Sequence, residues 1–201
     1  FGDGQLGETK KISCDFLEVS SDTTVGAQAG EFFPYNFGPE LPADQTLDDK
    51  KSLCFDGEIL KKEKSIIGAP ICKMVVSSDK PLSQLAIRLC DLRPDGTSAL
   101  ITHGFLNLTM SESFEEPKLL EAGKKITVKV CLDQIAYFLP KGHRIRVAIS
   151  SSYWPFIWPS PATPKIKVFS GSILLPQSEN IMKDIKMDFD GPVSGEPWNR
   201  V

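Results

Sequence analysis

The stretch Arg144–Pro161, RIRVAISSSYWPFIWPSP, limits what this chain can fold into more than any other. Ile145, Val147 and Ile149 alternate with Arg144, Arg146 and Ala148, the two-residue period of a strand with one face on a core. Neither a central strand nor a helix can continue past it, because Pro155, Pro159 and Pro161 lack an amide donor and fix φ. Tyr153, Trp154, Phe156, Ile157 and Trp158 are therefore predicted to ride on a stiff loop at a strand end. Large rings so placed either plug the end of a core or form a surface that meets something else.

The rest of the chain repeats the strand pattern without a convincing helix. Phe1–Gly7 is turn-like, and Ile12–Val19 reads as a first strand with Ile12, Cys14 and Phe16 on one face. Ser20–Lys50 is an irregular, acidic, Gly/Pro-rich arm. It carries Phe32, Phe33, Tyr35 and Phe37, rings that a solvated linker would lack, so it is predicted to lie against a surface. Ser52–Asp56 is a short strand and Glu58–Lys64 a solvated connection. Ile66–Ser77 is a strong strand bent near Gly68-Ala69-Pro70. Asp79-Lys80-Pro81 joins it to Leu82–Leu92, a pair that reads as a hairpin, and Arg93-Pro94-Asp95-Gly96 is the next turn. Ser98–Met110 and Lys125–Leu132 alternate in the same way, Ser111–Ala122 is loop, and Asp133–Phe138 is a short turn or helical segment. Pro164–Ser170 and Ser172–Leu175 give the last strands.

About eight short strands, with fifteen glycines and fifteen prolines between and within them, predict an all-β antiparallel sandwich. The expected division is 1–50 as N-terminal strand and arm, 51–177 as the sandwich and 178–201 as a peripheral tail. A net charge of −3 without a basic stripe argues against nucleic acid, and no apolar run reaches membrane-spanning length. Cys14, Cys54, Cys72, Cys90 and Cys131 form no Cys-x-x-Cys pair, so they are expected to be buried free thiols in a cytoplasmic chain. Phe1-Gly-Asp-Gly, lacking an initiator methionine, reads as a cut inside a longer protein.

The chemistry is sparse. No Gly-x-Ser-x-Gly elbow occurs, and only His103 and His143 could serve as a general base. His143, in a turn, is expected at the surface, and His103, in a strand, is expected to be structural. Asp44, Asp48 and Asp49 lack the alternating oxygen ligands and glycine of a calcium loop, so Asp44 is read as a turn cap and no metal or cofactor is expected. Asn107-Leu108-Thr109 matches a glycosylation acceptor but falls in a strand. Arg88 and Asp91 read as an ion pair with turn residues.

Three segments carry a family resemblance: Gly38–Asp56 (GPELPADQTLDDKKSLCFD), Leu85–Thr109 (LAIRLCDLRPDGTSALITHGFLNLT) and Val130–Pro161 (VCLDQIAYFLPKGHRIRVAISSSYWPFIWPSP). Between about Ser20 and Pro176 the chain resembles the C-terminal domain of the X-Pro dipeptidyl-peptidase and cocaine-esterase-like (CocE/NonD) serine hydrolases. The resemblance implies a jelly roll of galactose-binding-like topology, following an α/β-hydrolase domain that carries the serine, aspartate and histidine. Those three have no counterpart here, so the chain by itself is expected to be inactive. It further implies a small ester, amide or peptide substrate for the parent enzyme, with one edge of this domain walling the pocket. The candidates for that wall or for a domain interface are Phe32, Phe33, Tyr35, Asp44, Asp48, Asp49, Tyr153, Trp154, Phe156 and Trp158. A carbohydrate-binding module and an assembly module remain the alternatives, and homo-oligomerisation stays open.

Overall fold

A computed structural model describes residues 1–7, 13–30 and 41–177. Ten strands and two short helical turns follow in order among the described residues: β1 (Leu17–Val19), α1 (Thr46–Asp49), β2 (Leu53–Asp56), β3 (Lys64–Gly68), β4 (Ile71–Ser78), β5 (Gln84–Leu92), β6 (Ser98–Asn107), a 3-10 turn (Leu108–Met110), β7 (Ile126–Cys131), β8 (Ile135–Leu139), β9 (Arg144–Ser150) and β10 (Ile166–Leu174). They build two four-stranded antiparallel sheets, ordered β1-β10-β4-β7 and β2-β9-β5-β6, and a small β3-β8 pair. Alternation makes them a sandwich. Met74, Val76, Val128 and Val168 from the first sheet pack with Phe55, Leu85, Ile87, Leu89, Val147 and Ile149 from the second, all buried. Each such side chain contributes about 1.5–3 kcal/mol on leaving water. Phe1 joins them, stacked on Phe55 at 4.5 Å, over a gap that exists because residue 171 is glycine: a Cβ there would lie 2.2 Å from the Phe1 ring.

β5 lies between β9 and β6, and both its faces are covered. Its inner face meets the core. Its outer face carries Ala86, Arg88 and Cys90, roofed by residues 21–30, the α1 turn and the loop after β9; Val25, Ala29, Ala86 and Tyr153 form a second, smaller buried cluster. Residues 21–30 of the arm thus lie against this domain through Val25 and Ala29, while Phe32, Phe33, Tyr35 and Phe37, on which the expectation rested, lie outside the described residues.

Several expectations are corrected. Ile66–Ser77 is two strands, because Gly68 at φ 123° and Pro70 break the ladder, and β3 leaves to pair with β8. β4 and β5 belong to opposite sheets, so the hairpin is β5–β6, across the Arg93–Thr97 turn. Asp133–Phe138 is mostly strand β8. The two last strands are one, β10, with a register shift between Val168 and Ser170. Of the described part of the expected Ile12–Val19 strand, Leu17–Val19 is strand and Cys14 is exposed; Ile12 and the Ser178–Val201 tail lie outside the described residues. Cys131 is exposed too, while Cys72 and Cys90 are buried. No helix among the described residues is long and apolar enough to cross a membrane.

Candidate functional site

The loop leaving β9 divides its rings between inside and outside. Tyr153 is fully buried and donates its hydroxyl to Gln45 Oε1 at 3.2 Å; burial, ahead of any neighbouring charge, raises its phenol's pKa. Phe156 is half-buried and packs edge-on to His103 at 4.9 Å, beside Phe105 and Tyr153. Trp154 and Trp158 point outward, 43% and 79% exposed, in a T-shaped pair with centroids 5.2 Å apart. The loop is tied down at both ends. Trp154 N–H donates to Val25 O at 3.0 Å, and Gln84 Nε2 donates to Trp158 O at 2.6 Å. Gly26, at φ 110°, lies so close to Trp154 that a Cβ would come within 2.1 Å of its carbonyl oxygen.

A buried ionic network holds this roof to the sheet. Arg88, fully buried, places Nη2 3.0 Å from Asp49 Oδ1 and donates to Gln45 Oε1 and Ser52 Oγ at 3.0 and 2.8 Å. The Asp49 Oδ1 contact is ionic rather than a well-aligned hydrogen bond, and Arg88 Nε has no hydrogen-bond partner among the described residues. Arg146 bridges Asp49 Oδ2 at 2.9 Å and grips both Asp56 oxygens at 2.6 and 2.7 Å. Those bonds, Asp56 first, push its guanidinium pKa upward despite burial. Asp48 accepts the Gly26 and Gln28 amides at 3.0 and 3.3 Å, anchoring the arm. Asp44 accepts from Thr46 Oγ1 and N and from Ser98 N, the cap expected of it; the Thr46 hydroxyl chiefly holds its carboxyl below the usual carboxylate range.

His103 is part of the ring stack, Asp133 Oδ2 lying 3.5 Å from its Nδ1 without closing a hydrogen bond. Desolvation lowers its pKa, outweighing the opposing pull of Asp133. His143 is not a free surface residue: its Nδ1 lies 2.8 and 2.9 Å from the two Asp91 oxygens, and Tyr137 donates to the same carboxylate at 3.1 Å. Arg88 and Asp91 are consequently not partners, because β5 presents them to opposite faces. Among the described residues no serine, threonine or cysteine is hydrogen-bonded to either histidine, and no group of three or more His, Cys, Asp or Glu could hold a metal.

Of the residues singled out in the sequence, Asp48, Asp49, Tyr153 and Phe156 come together in the roof, Asp44 stands at its edge, and Trp154 and Trp158 stand outside it. Phe32, Phe33 and Tyr35 lie outside the described residues. Gln45 and Gly26, both central to the roof, went unnoticed. Gly26 sits in the VGAQAG run of small residues, a spacing that permits close backbone approach, but nothing in one sequence marks what approaches.

Residues 7–188 match the family described as the X-Pro dipeptidyl-peptidase C-terminal non-catalytic domain. A cocaine esterase of Rhodococcus sp. (strain MB1 Bresler) is 32% identical over 126 residues, 60% of this chain and 21% of that protein. A putative Xaa-Pro dipeptidyl-peptidase of Bacillus anthracis is 24% identical over 140 residues, 68% and 23% of the two chains. The chain thus spans about a fifth of the length of these curated relatives. Among solved structures, an aminopeptidase from a marine sediment Thaumarchaeota archaeon superposes with a TM-score of 0.76 at 20% identity, covering 88% of this chain and 35% of that one. An α-amino acid ester hydrolase gives 0.70 at 22%, covering 82% and 33%. At these identities the structural likeness is one of fold.

Proposed function

Since the chain belongs to the family of X-Pro dipeptidyl-peptidase C-terminal non-catalytic domains, we propose that it is the jelly-roll module of a longer serine hydrolase acting on ester, amide or peptide bonds. In this reading it packs on an α/β-hydrolase domain through the Tyr153–Trp158 loop and closes one side of that domain's acyl pocket. The observation that carries it is the paired exposure of Trp154 and Trp158 on a loop whose root is fixed by Val25 O, Gln84 and the buried Tyr153. Two indoles side by side in water on a fixed loop are a contact surface awaiting a partner. Acyl transfer needs a nucleophile, a base and an oxyanion hole in a site where water is controlled, and a rigid aromatic edge supplies the last of these. Asp48, Asp49 and Tyr153, turned inward, support that edge.

Exchanging Trp154 and Trp158 for alanine in the complete protein tests this. Hydrolysis of a p-nitrophenyl ester is expected to lose about tenfold or more in kcat/KM, the loss that goes with about 1.4 kcal/mol at a contact of this size. Unchanged kinetics in the double variant refutes the reading. Unchanged kinetics with a reduced native mass would assign the same rings to subunit assembly. The perpendicular rings, 82° apart, share no common plane for a sugar face to stack on, which disfavours a glycan platform.

A further inference from the structure

The end of the sandwich opposite the aromatic loop carries a concave surface. β9 runs from Arg144 to Ser150 before the loop begins, so the two ends stand about 20 Å apart. Two adjoining clefts there, of about 530 and 340 Å³, share Ile59 and Arg144. Arg93, Leu92 and Pro94 line the smaller one. Its wall is kept low by Gly142, at φ 92°, where a Cβ would point at Pro94 Cγ from 4.0 Å.

The arginines at this end differ from the other two among the described residues. Arg88 and Arg146 each have a carboxylate within 3.0 Å. Arg93 and Arg144 have none within salt-bridge distance among the described residues, and Arg144 makes no side-chain hydrogen bond there. The neighbouring acids are engaged or distant: Asp91 holds His143 and Tyr137, Asp56 holds Arg146, and Asp44 and Asp95 act on Arg93 only through space. Glu58 lines the larger cleft together with Lys61. Arg93 is exposed at the mouth of the smaller cleft, near Tyr137, whose hydroxyl is held by Asp91. Beside the cations are apolar walls, among them Ile59, 54% exposed.

We propose that the Arg93–Arg144 cleft binds a small amphipathic oxyanion, a carboxylate or phosphate head on the two guanidiniums with an apolar body against Ile59, Leu92 and Pro94. A guanidinium offers paired donors that match either head group. The site is independent of the aromatic loop and of the reading given to it above.

Calorimetric titration of the intact protein at fixed ionic strength tests the site, with inorganic phosphate and benzoate as separate probes and acetate as the head group without a ring. Saturable binding of phosphate or of benzoate is expected, benzoate tighter than acetate, and whichever head group binds identifies the class. R144Q and R93Q are each expected to weaken it about tenfold, since a charged hydrogen bond is worth roughly that much. R144K, which keeps the charge but loses the fork, is expected to fall between. Thermal melts of the variants that match the parent show that the fold is intact. No saturable binding of any probe, or binding unchanged in the R93Q/R144Q double variant, overturns the proposal.

Discussion

Gly26→Ala tests how the arm holds the aromatic loop. Gly26 has φ 110°, a conformation that an L-residue adopts at a cost of about 1–2 kcal/mol. Its added Cβ would also meet Trp154 O at 2.1 Å, N at 2.6 Å and C at 2.8 Å. These are backbone atoms, so no rotamer relieves the overlap and the two segments must separate. Separation loses the Trp154 N–H to Val25 O bond, about 1 kcal/mol, and part of the burial of Val25, about 1–2 kcal/mol. The expected cost is therefore about 3–5 kcal/mol. Gly96→Ala supplies the control: its φ is 89°, but nothing lies within 4 Å of the added Cβ, so only the backbone cost of about 1–2 kcal/mol remains. Urea unfolding of both variants, with amide hydrogen exchange at Trp154, separates the terms. Equal losses in the two variants, or a Trp154 amide equally protected in Gly26→Ala, would refute the collision.

Three other outcomes follow from the buried charges and thiols. Asp49→Ala leaves Arg88 and Arg146 without their shared carboxylate and is expected to cost about 3–5 kcal/mol in denaturant unfolding; a loss under 1 kcal/mol would mean water reaches the network. His103 is harder to protonate folded than unfolded, so the unfolded chain binds more protons and stability falls as pH drops through the ordinary histidine value of about 6.5, levelling off below the folded one. His103→Leu is expected to flatten that part of the profile, and an unchanged slope in urea midpoints between pH 5 and 8 would disprove it. Burial pushes the thiols of Cys54, Cys72 and Cys90 up to about 12, whereas Cys14 and Cys131 are exposed. Iodoacetamide at pH 8, read by peptide mass, is expected to label Cys14 and Cys131 first; prior labelling of Cys72 or Cys90 would contradict the burial.

The sandwich was legible wherever one strand face is polar. β7 and β9 show the two-residue period, but the hairpin was not legible: Asp79-Lys80-Pro81 and Pro94-Asp95-Gly96 are both good turns, and only the sheet order shows that β5 pairs with β6 and not with β4. β8 was not legible, because Ala136 and Phe138 interrupt Ile135, Tyr137 and Leu139 with apolar residues of their own; Phe138 is 53% exposed, and only pairing with β3 makes the segment a strand. The roof was legible in its rings but not in its charges. Arg88 and Gln45 are 43 residues apart, Arg146 and Asp49 97 apart, and a two-residue period says nothing about what covers the outer face of a sheet. The alternation that sets Arg88 opposite Leu85, Ile87 and Leu89 does not show that its own face is covered and its partner is Asp49 rather than a turn residue.

That covered face bears on how the module works. A loop carrying two exposed tryptophans would gain entropy by collapsing its rings onto its own sheet, and the outer face of β5 would offer them apolar cover. It is already filled by Tyr153, Val25, Ala29 and a charge network that cannot be displaced without stranding Arg88. The roof thus excludes Trp154 and Trp158 from the domain's own interior, and the fixed ends of the loop remove much of the freedom that a partner would otherwise have to take away. Loosening the roof at Gly26, far less than truncating the tryptophans, is then expected to weaken kcat/KM of the complete protein while both indoles are still present. A Gly26→Ala protein with a mobile loop and undiminished kcat/KM would show that rigidity of the edge contributes nothing.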